Sequence, residues 1–459
     1  MEAIVINNAN LSMSHLVSKN PILHDKKETK ERYIGFLKKY IKILNVKSKY
    51  VKAEMEAYGK IISDGSEERA YPIGFYKYYI LFDLVHIVGY EPNSANLLWK
   101  WNELESVYLG DFRMASKDIY RAIAGCDYIE IGKSKKNSKN PFGYLNTRTK
   151  SGFEELLWYF QEEPELEYVE SIERNIRFKK KKPYKIMITA TMSAGKSTFI
   201  NSLVGKYICL SQNMACTSKI HSVVNKAFED NTTYELDYDL VMTAGKDELL
   251  NDNELNKTDN IIVSAYFNGI LSDERIIIND SPGVNFSGNS GHKAVTDDEL
   301  EDGKYDLLLY VMNSTQLATN DENEHLEFVK KNVGNRPIIF IMNKVDMYDV
   351  DEEDVSEVIE RQIKYLTQKG FKNPIVCPIS ARAGYLAKYS ESNELTRTEE
   401  RELYNFIDKF EKMGLVKYYN SHFPDVKIAD SKDEKRQLLK TSGLSFVEKI
   451  IKKYVKGEK

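Results

Sequence analysis

Residues 184–205, YKIMITATMSAGKSTFINSLVG, decide the fold. The apolar run Tyr184–Thr189 has the length and composition of a buried strand, and Thr198–Val204 carries apolar residues at helical spacing up to Gly205. Between them lies Ala190-Thr191-Met192-Ser193-Ala194-Gly195-Lys196-Ser197, the strand–loop–helix order of a phosphate-binding loop. Backbone N–H groups in such a loop and the N-terminus of the following helix point at phosphate oxygens, where the helix dipole favours negative charge. Lys196 would reach the β- and γ-phosphates and the Ser197 hydroxyl would ligate Mg²⁺, with Ser193, Ala194, Gly195 and Thr198 completing the cradle. The usual first glycine is Ala190, a departure that leaves Gly195, Lys196 and Ser197 intact.

Working outward, the chain alternates strands and helices, and polar motifs fall at strand ends. Arg275–Asn279 reads as a strand ending in Asp280-Ser281-Pro282-Gly283, and Tyr305–Met312 as another, followed by a helix over 320–331. Pro337–Met342 ends in Asn343-Lys344-Val345-Asp346, a helix spans about 353–369, and Pro374–Ile379 ends in Ser380-Ala381-Arg382. Strands 221–228 and 261–267 flank a charged excursion. The pattern predicts an α/β fold with a mixed, mostly parallel sheet covered on both faces and ligands at its carboxyl edge. There Asp280 would hold Mg²⁺ through water and the Gly283 N–H would meet a γ-phosphate. The Asp346 carboxylate can accept two hydrogen bonds from the N1–H and 2-amino group of guanine, a donor pair adenine lacks. Lys344 would lie along the base, and the Ala381 N–H, between Ser380 and Arg382, would donate to the guanine oxygen. A helix N-cap is the structural alternative for Asp346.

ATMSAGKSTFINSLVG, ACTSKI, INDSPG, YVMNSTQLATNDE and IMNKVD together resemble the dynamin family of large GTPases, particularly its bacterial members, over about residues 183–385. Tyr310–Glu322 is the segment most particular to that family. The resemblance implies a GTPase that uses Mg²⁺ and hydrolyses GTP to GDP, with switch loops at 210–220 and 283–295 and self-association that depends on the nucleotide. It implies that Thr217 completes the Mg²⁺ shell and that Ser193 helps hold a monovalent cation, K⁺ or Na⁺. Ser193, Lys196, Thr217 and Gly283 are thus the expected catalytic set. Met192 stands where animal dynamins carry a water-positioning glutamine; a backbone carbonyl near Thr217, or His292, is the alternative for that task. Only 79 residues follow Ser380, too few for a dynamin's long stalk and membrane-inserting tip.

The rest of the chain is less specific. At 459 residues it has room for about two or three domains, and 42% hydrophobic with 29% charged residues is ordinary for a globular protein. The division expected is a loose tail over 1–27, a helical domain of unknown partner over 28–182, the nucleotide-binding domain over 183–390, and C-terminal helices over 391–459. In the helical domain, apolar spacing predicts helices over 28–62, 72–89, 96–108, 114–124 and 152–178. Residues 132–151 form a basic loop, the better candidate for an anionic partner, and Lys179–Lys182 a solvated linker. A net charge of −4 gives no reason to expect nucleic-acid binding, and the tyrosines sit mostly on helical apolar faces, as core. Scattered cysteines, a poor signal sequence and no stretch of 18 apolar residues suit the cytoplasm.

Helices are expected at 398–419 and 432–455. The last is amphipathic and basic, suited either to packing on the N-terminal helices as one bundle or to lying on an anionic membrane surface as a peripheral attachment. Two rivals to a hydrolysing GTPase therefore stand: a slow guanine-nucleotide switch that presents its helical domain to a protein partner, and a membrane-remodelling assembly protein.

Overall fold

The computed structural model describes residues 15–43, 49–88, 157–191, 193–208, 220–237, 240–243, 260–280, 305–349 and 355–458. The helices expected at 96–108 and 114–124 and the basic loop at 132–151 lie outside these residues. Two compact units divide the chain at Lys180/Lys181, with Asp239–Met242 grouped with the first.

The first unit is helical, built from α1 (Lys27–Ile43), α2 (Lys49–Asp64), α3 (Lys77–Val88) and α4 (Leu166–Lys180). The run that is apolar all round becomes α3, and Tyr79, Leu81, Phe82 and Leu84 are buried on it. Tyr33, Tyr58, Tyr76 and Tyr168 are fully buried as well, so these tyrosines are core. The expected loose tail needs correction from residue 15 onward. Leu16, Val17 and Ile22 are fully buried in two 3₁₀ turns, and hydrogen bonds from His15 to Glu54 and from Asn20 to Asp83 help to hold the stretch against its lost freedom.

Asp83 of α3 lies at the centre of this unit without solvent contact. It accepts hydrogen bonds from Tyr33 Oη at 2.6 Å, from Asn20 Nδ2 at 3.0 Å and from Tyr168 Oη. Burial pushes its pKa up to about 7 against the lowering effect of those three donors.

In the second unit the strands are β1 (Tyr184–Ala190), β2 (Ile220–Asn225), β3 (Tyr234–Asp237), β5 (Asn260–Ala265), β6 (Ile276–Asp280), β7 (Leu307–Asn313), β8 (Ile338–Asn343) and β9 (Ile375–Pro378). A further short strand, β4 (Leu240–Thr243), falls at the division between the units. The order within the unit is β3-β5-β2-β6-β1-β7-β8-β9. From β6 to β9 all neighbours are parallel, while β2 pairs antiparallel with β6 and parallel with β5. This is the mixed, mostly parallel sheet that the sequence predicts. β7 is buried along its whole length, as a strand covered on both faces must be.

The helices of this unit are α5 (Lys196–Val204), α6 (Asn320–Asn332), α7 (Val355–Gln368), α8 (Ala381–Tyr389), α9 (Arg397–Met413), α10 (Leu415–His422), α11 (Glu434–Thr441) and α12 (Leu444–Lys456). The two long C-terminal helices expected from the sequence are each broken by a glycine in left-handed conformation, Gly414 (φ 75°) and Gly443 (φ 87°). No separate C-terminal domain begins at 391. Leu403, Phe410, Tyr419, Leu438, Leu444, Phe446 and Ile451 join one core with the sheet residues. The apolar face expected to serve a bundle or a membrane surface is thus spent inside this unit: Leu444, Phe446, Val447, Ile450 and Ile451 are buried, and Phe446 stacks on Tyr419 at 4.4 Å. Each such side chain contributes roughly 2 kcal/mol by leaving water.

Candidate functional site

Parallel strands deliver their C-terminal ends to one edge, and the register shows which residues meet there. Ile188 pairs with Asp280, Ala190 with Val311, and Asn313 with Asn343. The phosphate loop, the aspartate at the end of β6, the base motif after β8 and the Ser-Ala-Arg loop after β9 therefore share one rim.

β1 ends at Ala190 and α5 starts at Lys196 with Gly195 as its cap in left-handed conformation. The close approach at Gly195 explains why glycine stands there: a Cβ would lie 2.4 Å from Asn343 Nδ2. Ser193, also left-handed at φ 61°, is exposed on the loop, whereas Ala194 is buried. Ser197 and Thr198 are half-buried in the first turn of α5. Lys196 Nζ donates to Asp280 Oδ1, and both side chains are close to dry at 10% and 1% exposure. Two motifs 84 residues apart thus converge on one corner as an ion pair.

Asn343 is the hub of the rim. Its Nδ2 donates to the Ala194 carbonyl at 2.9 Å and its Oδ1 accepts from the Ala381 N–H at 3.0 Å. One buried side chain thereby ties the phosphate loop to the loop after β9. The Ala381 N–H, expected to meet a base oxygen, donates here to Asn343. Lys344 follows in left-handed conformation at φ 66°, with its Cε 3.8 Å from the position a Gly195 Cβ would take, so its side chain runs over the phosphate loop. Asp346 is the middle residue of the 3₁₀ turn Val345–Met347, half-buried, and makes no hydrogen bond or ion pair among the described residues. It is not an N-cap. Ser380 is one: its Oγ accepts from the Ala383 N–H at 3.1 Å and starts α8. Arg382, expected to line the nucleotide, is held by Glu402 of α9, with its Nη2 at 2.7 Å from Oε2. Thr217 and Gly283 lie outside the described residues, as do Met192 and His292.

Some of the rim cannot be read from the sequence. The Thr396-x-x-Glu399 capping box that starts α9 is legible, but Glu402 meeting Arg382 is not, because no local pattern links residues 20 apart. Glu322 is similar. It accepts from the Ala318 N–H at 2.6 Å, and burial pushes its pKa up to about 7, against the lowering effect of that bond. It pins the loop Ser314–Ala318, whose last residue has φ 59°.

The residues at the rim could hold a Mg²⁺ with help from a ligand. Mg²⁺ takes hard oxygen donors and keeps waters and phosphate oxygens in its shell. Among the described residues no cluster of three His, Cys, Asp or Glu offers an all-protein cage. Asp280 and the Ser197 hydroxyl are the side chains that would supply the protein share of the sparser kind of site.

This sheet, with a phosphate loop after β1 and a base motif after β8, is the fold of the P-loop GTPases. Residues 186–345, about a third of the chain, match the model of the dynamin family. No curated protein matches the chain. Among solved structures, an oligomerised bacterial dynamin pair is 14% identical, covering 98% of this chain and 74% of that one, at a TM-score of 0.37. Era from Aquifex aeolicus bound to GDP and AlF₄⁻ is 20% identical, with 44% and 52% coverage and a TM-score of 0.27. Toc33 from Arabidopsis thaliana in complex with GDP and Mg²⁺ is 14% identical, with 46% and 78% coverage and a TM-score of 0.29. The matched part spans about half the length of the Era chains. Among the described residues no helix is long and apolar enough to cross a membrane.

Proposed function

We propose that this protein binds guanine nucleotides with Mg²⁺ and hydrolyses GTP to GDP and phosphate. The observation that carries the reading is Asn343, which ties the phosphate loop to the loop after β9 while the Asp346 carboxylate stands three residues on without an internal partner among the described residues. Asp346 would accept from the N1–H and 2-amino group of guanine. Lys196 would exchange Asp280 for phosphate oxygens, which leaves Asp280 and Ser197 to the metal. Mg²⁺, when bound, neutralises phosphate charge. The chemistry is attack of water on the γ-phosphate, driven by positioning and by fixed positive charge and N–H groups rather than by covalent steps. Thr217 and Gly283 take the switch contacts in this reading, Ser193 a monovalent cation, and the nucleotide state governs self-association.

Competition against a fluorescent GDP analogue tests the assignment. Unlabelled GDP and GTP should displace it, and ATP at the same concentration should not. Displacement by ATP would sink the guanine reading.

Gly195→Ala probes the loop itself. The new Cβ meets Asn343 Nδ2 and sits at a φ that L side chains rarely adopt, so the loop must shift. GDP affinity should fall at least about tenfold, roughly 1.4 kcal/mol, with unchanged far-UV circular dichroism. Wild-type affinity in this variant would show that the phosphates lie elsewhere.

A further inference from the structure

α5 and α8 pack side by side, and each starts at a nucleotide loop: α5 at the phosphate loop, α8 at the loop after β9. Lys388 sits at their far ends. Its ammonium donates to the carbonyl oxygens of Ser202 at 3.0 Å and Leu203 at 2.8 Å, in the last turn of α5, and to Glu448 Oε1 of α12 at 2.5 Å. Carbonyls of a last helical turn have no partner inside their helix, so Lys388 caps α5 with a full charge. The two side chains are only 1% and 2% exposed. Glycines leave room beside Lys388: a Cβ at Gly205 would lie 3.0 Å from Lys388 Cδ, and one at Gly269 would lie 3.2 Å from Lys388 Cε.

The same C-terminal segment also holds the loop after β9. The Ser380 N–H donates to the Ser442 carbonyl at 3.0 Å, and Tyr419 Oη to the Pro378 carbonyl at 2.8 Å. Gly384 of α8 lets Leu444 of α12 approach so closely that a Cβ there would lie 2.7 Å from Leu444 Cδ2. A buried ion pair is poor evidence for stability, since apolar residues of similar volume often do as well. What this pair supplies is registration of α5 against α8.

We propose that Lys388, held by Glu448, is a positioning residue that fixes the phosphate loop relative to the base loop, so that the terminal helix α12 sets nucleotide affinity. The proposal rests on the guanine-nucleotide reading of the rim. GDP touches both loops and needs them at one separation. Guanosine touches only the base side and pyrophosphate only the phosphate side, so neither senses the registration.

The test uses the full chain with Lys388→Met and Glu448→Leu combined, which removes both charges at similar volume. GDP, guanosine and pyrophosphate are titrated with Mg²⁺ into this variant and the wild type. The GDP Kd should rise at least about tenfold while the other two stay within about twofold. A folded variant with GDP affinity within about twofold of wild type overturns the proposal, and so does an equal loss for all three ligands. Should the double variant not fold, Glu448→Gln, which keeps Lys388 on its two carbonyls, takes its place. It should show a smaller loss confined to GDP, and unchanged GDP affinity overturns the proposal equally. A wild type that binds no GDP defeats the reading of the site itself, whereas normal wild-type binding with unaffected variants defeats only the registration by Lys388.

Discussion

Asp346→Asn should weaken GDP binding by roughly 100-fold or more and turn the site toward xanthine nucleotides. The carboxylate has two acceptor oxygens matched to the adjacent N1–H and 2-amino donors of guanine. An amide keeps one acceptor and sets an N–H₂ against the 2-amino group, where donor faces donor. A group left buried without its partner costs far more than the net worth of the bond it replaces. Xanthine carries a 2-oxo group at that position, so the same amide becomes its donor partner. The folded protein should hardly notice the change, because Asp346 is half-buried and has no hydrogen bond or ion pair among the described residues to lose. Titration of GDP and XDP into both proteins reads the outcome. Undiminished GDP affinity in the variant would mean that the base does not sit on Asp346.

The second large effect lies in the helical unit and concerns pH. An aspartate in the unfolded chain titrates near 3.8, whereas Asp83 in the folded chain is pushed up to about 7 because burial disfavours its charged form. Between these values the unfolded chain has released the proton and the folded chain still holds it. The folded state then binds more protons, so stability falls as pH rises through this window and levels off above about 7. One proton corresponds to about 1.4 kcal/mol per pH unit, so the total is on the order of a few kcal/mol. Asp83→Asn keeps the shape: its oxygen can accept from Tyr33 and Asn20, while its N–H₂ turns the Tyr168 hydroxyl into an acceptor. Hydrogen exchange of the 77–88 amides in the full chain, corrected for intrinsic rates, should show protection that falls from pH 5 to pH 7.5 in the wild type and stays level in the variant. Equal slopes would place the titration on another group.

Much of this is legible because local pattern carries it. The run 184–189 has the length and apolarity of a buried strand, and the glycine-lysine-serine that follows it marks the helix start and carries the phosphate-binding reading. Asn343 and Asp346 are readable as a base motif from their spacing. The double duty of Asn343 is not, since its partners Ala194 and Ala381 are 149 and 38 residues away and are backbone groups that leave no trace in residue identity. The destination of α12 escapes the sequence for a related reason. Amphipathic spacing states that a face must be buried but is silent on where. Glu448, a charge lying among the buried residues of that helix, is the available hint that it ends inside a polar contact of its own unit. Helix α8 is hidden because Ser380-Ala381-Arg382 reads as a loop motif, although Ser380 is also its cap.

The placement of α12 inside the core has a consequence for vectorial synthesis. Every residue of the nucleotide loops is made before Leu444, yet the side chains that close the core beneath them, Leu444, Phe446, Val447 and Ile451, come after. At roughly 5–20 residues per second, the ribosome needs several seconds to go from Arg382 to Lys456. During that time β9 and α8 exist without their cover, and Lys388 is present before Glu448 has been made. A nascent chain stalled in this interval would hold all its nucleotide motifs on a half-built domain with a bare apolar flank, the form in which a chaperone or a neighbouring nascent chain would meet it.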